Sequence, residues 1–171
     1  MRVLKIYFHI MALFKTKFYK LIFGERLDIS NNVTFRRHFY LLIEEKGKIS
    51  IGKGCFFNNN CSITSLKSVS IGEDTIFGEN VKIYDHNHRF RDSSKKIKEQ
   101  GFSVSDIKIG KHCWIGSNVT ILKGAEIGDN CVIGAGCVIA KKIAPNSIVK
   151  LNYDYETIKI DHSERRVIIY E

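Results

Sequence analysis

Isoleucine returns at every sixth residue through the most regular stretch of the chain, at Ile109, Ile115, Ile121, Ile127, Ile133 and Ile139. Four places after each comes a small or β-branched residue: Cys113, Val119, Ala125, Cys131, Cys137 and Ile143. Polar residues hold most places between. A period of six suits neither an amphipathic helix nor an alternating strand. It belongs to a β-helix, whose turns must stack because none can bury its apolar face alone. Three hexads make a triangular coil of about eighteen residues, with coils stacked roughly 4.8 Å apart like strands of a parallel sheet. Positions one and five then fill the interior. Glycine at position two (Gly110, Gly116, Gly128, Gly134) eases the backbone round the corners. The predicted fold class is all-β, a left-handed parallel β-helix, which departs from the usual right-handed crossover.

The same pattern, less regular, reaches back to Ile29. Val33 and Phe35 are in phase, the repeat blurs through Phe39, Leu41 and Ile43, and it re-forms at Ile51, Phe57 and Ile63. Two extra residues near Lys67–Ser70 shift the register before Ile71, Phe77 and Ile83. Residues 89–108 then break it, and a loop of that length on a compact repeat is usually functional. Pro145 closes the hexads. The predicted β-helix therefore covers residues 29–150 with a protruding loop at 89–108, followed by an extension at 151–171 whose form the pattern leaves open. Residues 1–28 are of another kind. They mix large apolar and aromatic residues with Arg2, Lys5, Lys15, Lys17, Lys20 and Arg26, and predict a basic amphipathic helix. Its longest uncharged run, Ile6–Phe14, falls short of the roughly 18 apolar residues of a membrane span. No small-residue cleavage site follows, as a signal peptide would require. Two placements fit: in the plane of an anionic membrane, or packed on the end of the β-helix or a neighbouring subunit.

Composition narrows the partners. The chain has 171 residues, about one domain, and Lys+Arg of 27 against Asp+Glu of 18 gives a net charge of +9. That excess suits an anionic partner. No nucleic-acid module is visible, which leaves acidic lipid or a phosphate-bearing cofactor. The five cysteines (Cys55, Cys61, Cys113, Cys131, Cys137) all fall at position five of a hexad. They read as small buried hydrophobes without the paired spacing of a zinc site. Reduced thiols point to a cytoplasmic setting. A serine in that slot is expected to bury its hydroxyl without a partner.

The hexad at 83–88 reads Ile-Tyr-Asp-His-Asn-His, with Asn87 where the core expects an apolar residue. The wall should therefore be disturbed just before the long loop. His86 and His88 flank the disturbance, and histidine is the natural general base near neutral pH. The plainer alternative is a pair of surface histidines at a loop edge.

Three blocks carry a resemblance: Tyr84-Asp85-His86-Asn87-His88; Ile109 to Ile121, with Trp114-Ile115-Gly116-Ser117-Asn118-Val119 at its centre; and Ile133-Gly134-Ala135-Gly136-Cys137-Val138-Ile139. Together with Ile143 to Ser147, the chain over residues 50–150 resembles hexapeptide-repeat acyltransferases of the galactoside, maltose and xenobiotic acetyltransferase type. It is most similar to the sugar O-acetyltransferases of polysaccharide and lipopolysaccharide gene clusters. The resemblance implies direct transfer of acetyl from acetyl-CoA to a sugar hydroxyl, with a histidine base and no metal. Gap-free counting of hexads carries that base to His88, whereas aligning on the Asp-His pair carries it to His86; register favours His88. Donor-binding positions carry over to Ser117 and Ala135, stacked on one prism face. Trp114 beside them is either a contact to substrate or donor or a packed corner residue. Lys141, Lys142 and Lys150 are either partners for the CoA phosphates or ordinary solvated lysines. Asp85, Asn58 and Asn59 fall on the acceptor side. The family's V-x-G-x-P segment is replaced by Ile148 to Tyr155, without its glycine or proline. Since His88 and the Ser117–Ala135 pair fall on different faces, the resemblance implies a homotrimer with sites between subunits. The acceptor is expected to be a sugar of a surface polysaccharide, a lipopolysaccharide or its lipid-linked precursor. The enzyme would be cytoplasmic, with peripheral contact at the inner face of the plasma membrane. The rivals are N-acetylation of an aminosugar, a non-catalytic membrane-associated scaffold, and a metal-dependent hydratase built on His86, His88 and His112.

Overall fold

Three parallel sheets form the walls of a prism in the computed structural model, which describes residues 2–152, with the backbone alone for Arg2, Val3 and Lys5. The first face stacks Leu27–Ile29, Ile49–Ile51, Val69–Ile71, Ile107–Ile109, Glu126–Ile127 and Lys142–Ile143. The second stacks Thr34–Phe35, Phe56–Phe57, Ile76–Phe77, Trp114–Ile115, Val132–Ile133 and Ile148–Val149. The third stacks Tyr40–Ile43, Ser62–Ser65, Lys82–Tyr84, Thr120–Leu122 and Val138–Ile139. Every pairing within these faces is parallel. The expected β-helix is what forms.

Coil length varies at one edge alone. Along the first face the step is 22 residues from Leu27 to Ile49, 20 from Ile49 to Val69, 38 from Val69 to Ile107, 18 from Lys108 to Glu126, and 16 from Glu126 to Lys142. All the surplus and the final deficit lie between the third face and the first, because the other two corners keep a constant length. The two extra residues near Lys67 are there, as the pattern required. The deficit corrects one reading of the sequence. Ile143 pairs with Ile127, so it holds position one of its hexad and not position five.

Positions one and five are buried throughout the regular hexads, from Ile109 and Cys113 to Cys137 and Ile139. Nearer the N-terminus the core turns aromatic: Phe57 stacks on Phe77 with ring centres 4.3 Å apart, and Phe39 lies 4.9 Å from Phe57. The position-two glycines serve a different purpose from the one expected. They lie so close to the next coil that a Cβ on Gly72 would meet the Lys111 nitrogen at 2.5 Å, and one on Gly116 the Ala135 nitrogen at 2.7 Å. The left-handed backbone falls instead at position four, at Asp74, Asn80, His112, Asn118, Asn130 and Asn146, with φ between 53° and 59°. Asparagine tolerates that conformation because its short side chain bonds locally.

Helix α1 (Arg2–Phe23) closes the N-terminal end. Gly24, at φ 56°, ends it in the left-handed turn that suits a glycine, and the first strand begins at Leu27. Ala12 and Tyr19 are buried against the first coil. The Tyr19 hydroxyl and the Lys15 ammonium both donate to the Phe39 carbonyl, the former at 3.3 Å, and His9 Nδ1 lies 3.2 Å from Thr34 Oγ1. One face of the helix thus packs on the prism. Among the described residues no helix is long and apolar enough to cross a membrane. The extension expected at 151–171 lies, from Tyr153 onward, outside the described residues.

The long excursion begins and ends earlier than 89–108. His86–His88 and Phe102–Val104 form an antiparallel ribbon that leaves the prism, and Ile107 and Ile109 are already back in the wall, buried. The twenty-residue surplus is right, but its frame sits a few residues toward the N-terminus.

Candidate active site

The excursion is anchored by Asp85, the first residue past the wall strand Lys82–Tyr84, and Asp85 is fully buried. Its carboxylate accepts from Ser65 Oγ at 2.7 Å, from the Leu66 amide at 2.9 Å and from the Lys67 amide at 2.8 Å. Its own carbonyl accepts from the Ser105 amide at 2.9 Å, which closes the foot of the ribbon. A carboxylate so enclosed is tolerated because each oxygen is met by donors. It therefore cannot reach an acceptor sugar, and the acceptor-side role expected of Asp85 is withdrawn. The wall is broken here, at a buried carboxylate, and not at Asn87, which is exposed.

The fourth contact of Asp85 is with His86, whose Nδ1 lies 3.2 Å from Oδ1. A carboxylate only accepts, so Nδ1 carries a proton, and in the neutral ring Nε2 then presents the lone pair. Phe102 sets its edge against the imidazole at 5.4 Å and Tyr84 at 6.1 Å. The side chain is 17% exposed: enclosed, yet reachable. His88 is two residues along the same strand and so on the same side of the ribbon. It is exposed, its ring centre is 4.6 Å from that of Phe102, and it has no hydrogen-bond partner among the described residues. Register favoured His88 on the assumption that it continues the prism wall. Both histidines have left the wall, so that support for His88 disappears.

Beside His88 opens a cleft of about 610 Å³, lined in part by Arg89, Arg91, Lys95 and Lys123. Lys95 pairs with Asp92 at 3.4 Å. Arg89, Arg91 and Lys123 have no acidic partner among the described residues. Ser65, Phe102 and Lys123 are parts of this site that hexad counting does not single out. A usable signal exists for Ser65: it precedes Asp85 by one coil length, directly after the paired Thr64 and Tyr84.

Ser117 and Ala135 sit at the corner between the second and third faces, not on a face. The Ser117 carbonyl accepts from the Gly136 amide at 2.9 Å, and Ser117 Oγ accepts from the Glu79 amide at 3.1 Å. The two coils do stack there, with little side chain between backbone and solvent. Asn58 and Asn59 hold the same corner nearer the N-terminus, and their amides are engaged. Asn58 Oδ1 accepts from Arg36 at 3.1 Å, and Asn59 Nδ2 donates to Glu79 at 2.9 Å. Trp114 is 56% exposed on the second face, between Ile76 and Val132. Lys141 shares the histidines' edge of the prism, while Lys142 pairs with Glu126 at 3.2 Å.

Within one chain, then, the histidines and the Ser117–Ala135 corner are separated by the whole third face. His112 lies at the remaining corner. Among the described residues no three His, Cys, Asp or Glu side chains are grouped so as to hold a metal ion, so the ligand trio of the hydratase reading is not assembled.

Residues 106–141 match the family described as bacterial transferase hexapeptide (six repeats). The galactoside O-acetyltransferase of Escherichia coli (strain K12) is 38% identical over 100 residues, 58% of this chain and 48% of that protein. A putative lipopolysaccharide biosynthesis O-acetyl transferase of the same strain, WbbJ, is 32% identical over 114 residues, 58% of each. Among solved structures, a galactoside acetyltransferase in complex with coenzyme A is similar with a TM-score of 0.56 at 29% identity, over 69% of this chain and 60% of that one. The chain spans about half the length of the curated relatives it matches. Its resemblance to hexapeptide-repeat acetyltransferases of the galactoside type stands.

Proposed function

We propose that the chain is an acetyl-CoA-dependent O-acetyltransferase with a sugar hydroxyl as acceptor and His86 as general base. The observation that carries this is the Asp85–His86 pair: a buried carboxylate fixes the tautomer of a reachable imidazole at the root of the excursion. His86 Nε2 takes the proton of the acceptor hydroxyl, and the oxygen attacks the thioester carbonyl. Collapse of the tetrahedral species expels the CoA thiolate, which recovers the proton from the imidazolium. Backbone amides at the Ser117–Ala135 corner are the donors for the oxyanion and the pantetheine arm, with Trp114 alongside and Lys141 toward the CoA phosphates. No step requires an enzyme nucleophile, which fits five cysteines that are all buried.

Since the base and the donor corner do not share an edge, the working unit is a cyclic homotrimer in which one subunit's His86 faces its neighbour's Ser117 and Ala135. The lipopolysaccharide role in the name of one relative favours a surface-glycan acceptor or its lipid-linked precursor, met in the cytoplasm at the inner face of the plasma membrane.

The test is incubation of the purified protein with labelled acetyl-CoA and a panel of sugars, glycolipids and aminosugars. We expect ester formation on a hydroxyl, and a fall in kcat of ~10²–10⁴ for His86→Ala with acetyl-CoA binding retained. Amide formation on an aminosugar instead would overturn the O-acetyl assignment. A crippling His88→Ala beside a mild His86→Ala would move the base to His88.

A further inference from the structure

We infer that the outer face of α1 is a docking surface for an anionic lipid bilayer. The helix has two apolar sides. One, through Ala12 and Tyr19, is spent on the first coil. The other faces away from the prism and carries ten large apolar side chains, among them Tyr7, Ile10, Leu13, Phe14, Phe18 and Leu21, with Phe14 67% and Leu21 84% exposed. At 3.6 residues per turn these ten cover about half the circumference. Packing on the prism therefore does not explain them.

Two occupants compete for such a face: a second copy of the helix or a membrane. Leu4, Tyr7, Met11, Phe14, Phe18 and Leu21 follow the alternating three-four spacing of a coiled-coil seam. A seam is narrow, however, and charged residues flank it. Here Lys15 and Lys17 do flank it, but so do Ile10 and Ile22, and Ile6 and Leu13 carry the apolar side further round, all four exposed. That breadth suits a continuous apolar phase better than one partner helix. Charge points the same way. Residues 1–24 contain no aspartate or glutamate, and besides Lys15, which is held at the Phe39 carbonyl, they contain Arg2, Lys5, Lys17 and Lys20. A helix with one broad apolar side and cations about it lies in the interface of an anionic leaflet. Each cation near such a surface raises affinity roughly fivefold, and several copies in one assembly multiply the effect.

The experiment is co-sedimentation of the full chain with vesicles of phosphatidylcholine alone and of phosphatidylcholine mixed with phosphatidylglycerol. No substrate is present, so the result stands apart from the acetyl-transfer assignment. We expect binding to the mixed vesicles at least ~10-fold tighter than to the neutral ones, and weakened by added salt. Phe14→Ser with Leu21→Ser, both at exposed positions, should lower the affinity at least ~10-fold without changing the oligomer's mass. Lys17→Gln with Lys20→Gln should weaken binding to mixed vesicles by about 10-fold or more and leave neutral ones unaffected. This second pair decides the matter if the serine pair proves insoluble. A wild-type protein that stays in the supernatant with both vesicles overturns the proposal. So does a serine pair that shifts the oligomer's mass while vesicle binding persists, which would give this face to contacts between copies.

Discussion

Cys55, Cys113 and Cys131 each turn a thiol toward the carbonyl of the residue after position one in the next coil, at 3.0, 3.2 and 3.1 Å. Thr75, in the same column, does so with its hydroxyl at 2.9 Å, and its oxygen accepts from the Cys113 amide at 3.1 Å. The expectation that a serine in this slot buries an unpartnered hydroxyl is therefore corrected, because the slot contains an acceptor. Cys113→Ser should cost under about 1 kcal/mol by denaturant titration, and a loss beyond about 2 kcal/mol would show that the hydroxyl does not make the bond. Burial raises the Cys55 thiol to about 11 and raises those of Cys61 and Cys113 as well. Since the folded state holds these protons more tightly than the unfolded chain, their contribution is complete below about pH 9 and is lost as pH rises toward 11. Melting temperature should fall over that window, and Cys55→Ser should flatten part of the fall. Glycine at position two is equally open to test. Gly116→Ala drives a methyl onto the Ala135 nitrogen, for an expected loss of about 1–3 kcal/mol, whereas Asn130→Gly, at φ 56°, should be close to neutral.

At the scale of elements, the hexads made the prism legible because inward positions repeat without regard to what lies outside. The excursion was legible in length and not in place. Its first strand continues the two-residue alternation of the wall it leaves, so His86–His88 reads in sequence like one more wall segment. What marks the exit is the set of donors to Asp85, and those come from Ser65, Leu66 and Lys67 one coil away. The candidate base was thus narrowed to two histidines by sequence, and the preference for His86 rests on its contact with Asp85, a carboxylate held by donors one coil away. That contact predicts coupling. Asp85→Asn should lower stability by about 1–3 kcal/mol, since an amide cannot accept from every donor it meets. It should also lower kcat in an otherwise wild-type chain. In a His86→Ala background it should lower stability again but leave the residual kcat unchanged, because the carboxylate acts on catalysis only through the imidazole. A further loss of kcat in the double variant would give Asp85 an independent role.

At the scale of the molecule, every change in coil length falls on one edge of the prism, and that edge carries the ribbon, the histidines, Lys123 and Lys141. The Ser117–Ala135 corner keeps constant spacing, as a stacked backbone site requires. The proposed site draws on both, and a single prism holds them a full face apart. Mixed assemblies of two inactive chains test this separation. Let one chain carry His86→Ala and the other a block at the donor corner, Ala135→Phe. If each site takes its base from one subunit and its donor corner from the next, a site works only where an intact histidine precedes an intact corner. For equal, random mixing in a ring, that arrangement occurs at about one site in four. Co-expressed chains should thus recover about a quarter of wild-type activity although neither chain alone keeps more than a residual trace, and the recovery should vanish when both changes are placed in the same chain. If every site lay within one subunit, each mixed ring would hold only sites lacking a base or a corner, and no activity would return. Recovery near a quarter would place the site between subunits; none would confine it to one chain and leave the separation of His86 from Ser117 and Ala135 to be bridged by movement of the ribbon.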